Sequence, residues 1–220
     1  MAINQFATPD YDQDQRWASR LVECMNEMGE QQTNAVLLSL EGSNTIKPYQ
    51  RYPETPYYFG NQYWRAFYHC HESPEAIQGE DEHGHYHFFT RSKIEDEWSH
   101  VVAMGMNDYG QPTRLFTTNL WVTDGKWFDA SLLLSQLNLL ATSQDESLAT
   151  DWLKYVLLLF QYEISELLVT RDYRIEQLFP HHQEQCFLDR SVYYLSEMNI
   201  NLNKQLLDIF SLNHTESSST

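Results

Sequence analysis

Five of the nine histidines fall between positions 69 and 87. His69 and His71 sit in Tyr68-His69-Cys70-His71, and His83, His85 and His87 in Glu82-His83-Gly84-His85-Tyr86-His87. Imidazole is the commonest protein ligand for divalent transition metals, and it binds as the neutral base near pH 7. On a strand, residues two apart share a face. His69 and His71 therefore point one way, and so do His85 and His87. If the two strands pair across the polar loop between them, three or four ring nitrogens meet at one point. Three protein ligands with an open position mark a catalytic metal site, whereas a closed set is more often structural. The pattern predicts that His69, His71, His85 and His87 share one cavity, with His83 at its mouth. They would hold a divalent transition metal, iron or zinc first, with manganese or copper as alternatives. The loop carboxylates Glu72, Glu75, Glu80, Asp81 and Glu82 could complete a mixed set or orient the imidazoles from behind. Gly84 is read as a sharp turn between two ligands.

Other residues carry weaker signals. Arg114, Thr117 and Asn119 lie on one candidate strand and are read as a substrate-binding group. Thr117 and Asn119 either line a pocket beside the metal or satisfy neighbouring backbone. Arg114 either clamps a carboxylate substrate or forms a structural ion pair. His100, alone on its strand, reads as packing, and His181-His182 beside Pro180 reads as a surface turn. Alternation turns Cys70 away from its flanking histidines, which suits a buried thiol. Glu163 and Glu166 share a helix face. No matching Glu-x-x-His accompanies them, which argues against a di-iron bundle. There is no phosphate loop, nucleophile elbow or kinase motif.

These residues need elements to position them. Asp12 to Met28 is apolar at helical spacing. Residues 41–60, rich in tyrosine and proline, read as an irregular connection lying across the body of the protein. Four strands follow at Tyr63–His71, His85–Arg91, Trp98–Met106 and Thr113–Val122, with short links that suggest an antiparallel meander. Trp127–Leu140 is helical. Ser143-Gln144-Asp145-Glu146 matches a capping box, and a long helix runs from there to about Leu168. Shorter helical pieces cover Asp172–Leu178 and Asn201–Phe210. The expectation is one α+β domain over residues 1–212, with a central antiparallel sheet and helices packed mainly on one face. Residues 213–220 read as a disordered tail.

The composition narrows the partners. The chain has 220 residues with 14 Lys and Arg against 31 Asp and Glu, a formal charge of −17. Such a surface repels phosphate backbones and anionic bilayers, so neither nucleic acid nor membrane is expected as a partner. A protein partner is left unknown, and a small molecule is the substrate class left open. Three dispersed cysteines make no disulfide framework or C-x-x-C pair, and the N-terminal residues carry no secretory pattern. Both features suit the cytoplasm.

Three motifs together resemble a known family. They are Tyr68-His69-x-His71, Glu82-His83-Gly84-His85-x-His87-Phe88, and Leu115-Phe116-Thr117-Thr118-Asn119-x-Trp121-Val122-Thr123. The family is an uncharacterised bacterial one, a domain of unknown function of about this size, and the resemblance spans roughly residues 15–210. It implies no established activity. The paired H-x-H strands also resemble cupin metal sites, but the cupin glycine and proline spacings are absent. Two functions remain open. One is a mononuclear non-haem metalloenzyme acting on a small molecule. The other is a non-catalytic binding or accessory protein whose histidines are structural.

Overall fold

The computed structural model describes residues 10–43, 45–71, 82–144, 147–180 and 183–211. Six antiparallel strands form one open sheet in chain order: β1 (Tyr52–Phe59), β2 (Trp64–His69), β3 (Gly84–Thr90), β4 (Ser99–Met106), β5 (Pro112–Thr118) and β6 (Tyr194–Asn199). Eight helices are seen among the described residues. They are α1 (Tyr11–Glu30), α2 (Ala35–Ser39), α3 (Leu120–Thr123), α4 (Ala130–Leu140), α5 (Leu148–Leu159), α6 (Gln161–Leu178), α7 (Gln183–Leu188) and α8 (Leu202–Ser211). The class is α+β, as the order of elements implies. No helix among the described residues is long and apolar enough to cross a membrane.

The central meander β2–β5 matches the four strands read from alternation, and the two outer strands do not. The tyrosine- and proline-rich connection is the edge strand β1. Pro53 and Pro56 cannot donate to a ladder, but an edge tolerates them, and the register slips between Tyr52 and Tyr57. The opposite edge is β6, whose Leu195-Ser196-Glu197-Met198 lacks a clear apolar alternation. It gains its identity from pairing, with Leu115 opposite Met198 and Phe116 opposite Glu197.

Two further boundaries differ from the sequence reading. Strand β5 stops at Thr118 because the Asn119 side chain accepts the Leu120 N–H and opens the helical turn α3. That local asparagine bond overrides the strand propensity of Leu120-Trp121-Val122. The long apolar helix is two helices, α5 and α6, which meet at the buried Phe160. The hydroxyl of Ser147 caps α5 by accepting the Thr150 N–H. Asp145 and Glu146, the rest of the expected capping box, lie outside the described residues, as do His181, His182 and the tail.

The sheet separates two chemistries. One face presents Trp64, Ala66, Tyr68, Tyr86, Phe88, Val102, Met104 and Leu115 to the helices. Trp152, Leu153, Val156 and Leu157 of α5 lie in this same core and are almost fully buried. Each contributes about 1.5–3 kcal/mol by leaving water. The other face carries Arg65, Phe67, His69, His85, His87, Phe89, His100, Arg114 and Phe116. Every residue of β3 and β4 is buried, so both faces of the sheet centre are shielded from solvent.

Candidate metal centre

The register of β2 and β3 builds the centre. His69 is directly opposite His85, and Phe67 is opposite His87. The Nε2 atom of His69 lies 2.9 Å from Nε2 of His85 and 3.2 Å from Nε2 of His87. One ligand nitrogen from each of the three rings falls within 4.8 Å of the others. Nitrogens bound tetrahedrally to one ion at about 2.0–2.1 Å stand roughly 3.3 Å apart, so a small contraction or spread of these rings would seat a cation. His85 and His87 are buried, while His69 is only partly so.

Second partners orient the rings. The carboxylate of Glu82 accepts from Nδ1 of His85 at 3.0 Å. A neutral His85 that donates its Nδ1 proton to Glu82 has a bare Nε2, as a ligand must. The other oxygen of Glu82 accepts from Nε and Nη2 of Arg114 at 3.0 and 2.8 Å. Arg114 also donates to Glu197 at 2.9 Å. Gly105 lies between His85 and Arg114 in the ladder. A Cβ there would meet the Glu82 carboxylate at 2.5 Å, so only glycine leaves room for this buried ion pair. On the far side, Nδ1 of His87 lies 2.9 Å from Nε2 of His100, whose Nδ1 is 3.4 Å from the Thr118 hydroxyl. If each Nδ1 donates along this chain, Nε2 of His87 is bare as well.

Burial holds His69, His71, His87 and His100 neutral. It pushes His69 down to about 2, with His85, His71 and Arg51 adding to the effect. His71 falls to about 4, by burial first and then by His85. His100 falls to about 3, by burial and then by Arg171. His87, fully enclosed, is driven well below the ordinary histidine value. Neutral imidazole is the metal-binding form. His71 has both ring nitrogens buried without a hydrogen-bond partner among the described residues. Its ring packs 4.8 Å from that of His69, 5.2 Å from that of His85 and 5.1 Å from Tyr49. A buried ring with two unmet nitrogens is costly unless something else engages it.

Several residues sit elsewhere than their sequence positions suggest. His83 is exposed, and its Nδ1 is 2.5 Å from the hydroxyl of Tyr68, whose ring packs on Tyr86 in the helix-side core. It precedes β3, so strand alternation does not bind it to the His85 face. Gly84 makes no left-handed turn; it lies in β3, and a Cβ there would strike the Tyr68 hydroxyl at 2.3 Å. Arg114 is engaged by Glu82 and Glu197 rather than open to a substrate. Thr117 turns to the helix side, where its hydroxyl lies 2.7 Å from that of Ser196, which donates to the Leu167 carbonyl. Asn119 donates to the carbonyls of Cys186 and Val192. Both are spent on the fold. His100, read as packing, stands at the triad instead. Its signal was its place on the strand after β3, but the bulge that sets it opposite Phe89 is invisible in sequence. Glu72, Glu75, Glu80 and Asp81 lie outside the described residues.

The family model described as a domain of unknown function (DUF6969) matches residues 15–200, which include the histidines of both strands, Glu82 and Arg114. No protein of curated function and no solved structure matches the chain.

Proposed function

The chain belongs to the DUF6969 family, and we propose that it is a mononuclear metal protein whose centre acts on a small molecule. His69, His85 and His87 are the ligands in this reading. The observation that carries it is the convergence of three imidazole nitrogens from two adjacent strands, with the His85 tautomer fixed by Glu82. A histidine placed only to fill a core has no need of a bare nitrogen facing two others. In the metal-free state one shared proton must lie between His69 and its two neighbours, and a divalent ion would take its place.

A set of three neutral nitrogens suits iron or zinc, with manganese and copper as further choices. Such an ion supplies Lewis acidity and lowers the pKa of a bound water. The protein's own part is to hold the rings from behind through Glu82 and His100. His71 stands at the partly open side with two unmet nitrogens, placed to complete the set or to meet a bound water or substrate. A closed four-ligand set, with His71 as the fourth, would favour the non-catalytic alternative instead.

The test is elemental analysis of protein purified without a histidine tag, followed by titration of metal-free protein with Co²⁺. About one equivalent of tightly held metal, with tetrahedral or five-coordinate cobalt absorption, supports the reading. Less than a tenth of an equivalent, and no cobalt spectrum, would sink it.

A further inference from the structure

The face that carries the histidines also carries Arg51, Arg65 and Arg91, which pair with no carboxylate among the described residues. Arg51 stacks on Phe67 at 4.6 Å, Arg65 on Phe89 and on Trp98 at 4.7 Å each, and Arg91 on Trp98 at 4.4 Å. Phe67 and Phe89 stack on each other at 5.6 Å. The result is a ledge of three rings under three guanidinium groups. Its inner edge is the metal centre, because the Phe67 ring lies 5.9 Å from that of His69 and 5.7 Å from that of His87.

The ledge is unusual for this chain. Acids outnumber bases 31 to 14, yet among the described residues none of these three arginines has a carboxylate partner. The two well-buried arginines outside the ledge are paired with acids, Arg114 with Glu82 and Glu197 and Arg171 with Asp172. Arg91 is occupied by the carbonyls of Gln62 and Ile94. Arg65 is half-buried, its Nε–H is buried with no acceptor among the described residues, and its charge is opposed by burial and by Arg51 and Arg91. Arg51 is exposed beside it. Arg65, half-buried with an unmet Nε–H, and Arg51, on the ring that stacks against its own, offer donors that neither directs to a carboxylate among the described residues, and an anion would engage them. Their flat, forked donors match a planar carboxylate.

We infer that Arg51 and Arg65 form a carboxylate-binding subsite beside the His69–His85–His87 centre, so that the substrate is a small carboxylate with a flat or apolar body. A singly charged group fits better than a polyphosphate, since a net charge of −17 repels multiply charged anions at long range. As a statement about substrate, the inference rests on the metal-centre reading. The anion subsite itself can be tested without metal.

The probe is benzoate, titrated calorimetrically into metal-free and Co²⁺-loaded protein, with benzamide and inorganic phosphate as comparators. Benzoate should bind the metal-free protein, and benzamide should not displace it. Arg51→Gln, at an exposed position, should weaken benzoate about tenfold, and Arg65→Lys, which keeps charge but loses the fork, should weaken it similarly. Arg20→Gln, on α1, should change nothing. In the Co²⁺ form benzoate should perturb the visible spectrum. Unchanged affinity in Arg51→Gln, or phosphate binding more tightly than benzoate, overturns the subsite. If cobalt fails to bind while the arginine effects persist, the subsite stands and the metal reading falls.

Discussion

His69 and His85 face each other directly across the β2–β3 ladder, with their Nε2 atoms 2.9 Å apart and Glu82 fixing the far nitrogen of His85. A ring nitrogen directed at another ring nitrogen, deep in a sheet, is the geometry that a bound cation satisfies. Replacing His85 by Ala should abolish stoichiometric metal binding while the far-ultraviolet circular dichroism stays that of the native fold. Retention of one equivalent of metal in His85→Ala would rule this residue out as a ligand.

Glu82 should matter nearly as much as a ligand. Glu82→Gln keeps the shape but loses the anion that orients His85 and neutralises Arg114. Metal affinity should drop roughly 10–100-fold, measured by competition with a chelator of known affinity. Because one member of a buried ion pair is removed, the unfolding free energy should also fall, by about 3–5 kcal/mol at most, since Glu197 still holds Arg114.

Gly105 offers a test of the same arrangement from the backbone side. Gly105→Ala puts a methyl group 2.5 Å from the Glu82 carboxylate, so the carboxylate or the strand must shift. A loss of roughly 1–3 kcal/mol is expected, with weaker metal binding. Gly29→Ala, in α1 with nothing within 4 Å, is the control and should be neutral or stabilising by up to about 1 kcal/mol. Equal behaviour of the two variants would contradict the described packing.

The histidine cluster should make the metal-free protein acid-labile from an unusually high pH. His69, His71 and His100 have folded values near 2, 4 and 3, against an ordinary 6.5. Between those limits the unfolded chain binds more protons than the folded one, so stability rises with pH through this window. It is lost as pH falls below about 6.5, with a slope of about 1.4 kcal/mol per pH unit for each histidine held neutral. Denaturant midpoints measured from pH 7.5 to 4.5 should show this decline. His100→Gln should make it shallower, and bound metal should delay it. A flat profile down to pH 4.5 would refute the burial assigned to these rings.

Asn119 separates fold from site. Asn119→Ala leaves the Cys186 and Val192 carbonyls without their donor and removes the cap of α3. Stability should drop by roughly 1–3 kcal/mol in chemical denaturation. Metal content should stay at the wild-type level, because the amide lies on no path to the triad. Loss of metal in a folded Asn119→Ala protein would show that the residue supports the centre after all.

The sequence by itself determined that His69 shares a face with His71 and His85 with His87, because the strand repeat of two is a local property. It also determined the central meander, through alternation and turn residues, and the apolar helix around Trp152–Phe160. Tertiary structure decided the rest. Only the β2–β3 register sets His69 opposite His85, and only the bulge in β4 swings His100 to His87. His83 left the group because it precedes the strand, beyond the reach of alternation. The edges β1 and β6 had no periodic signature, since an edge strand takes its identity from its neighbour's hydrogen bonds. Nothing in the sequence singles out Arg51 and Arg65, because a residue's own identity does not reveal whether an acid will stand beside it once the chain has folded.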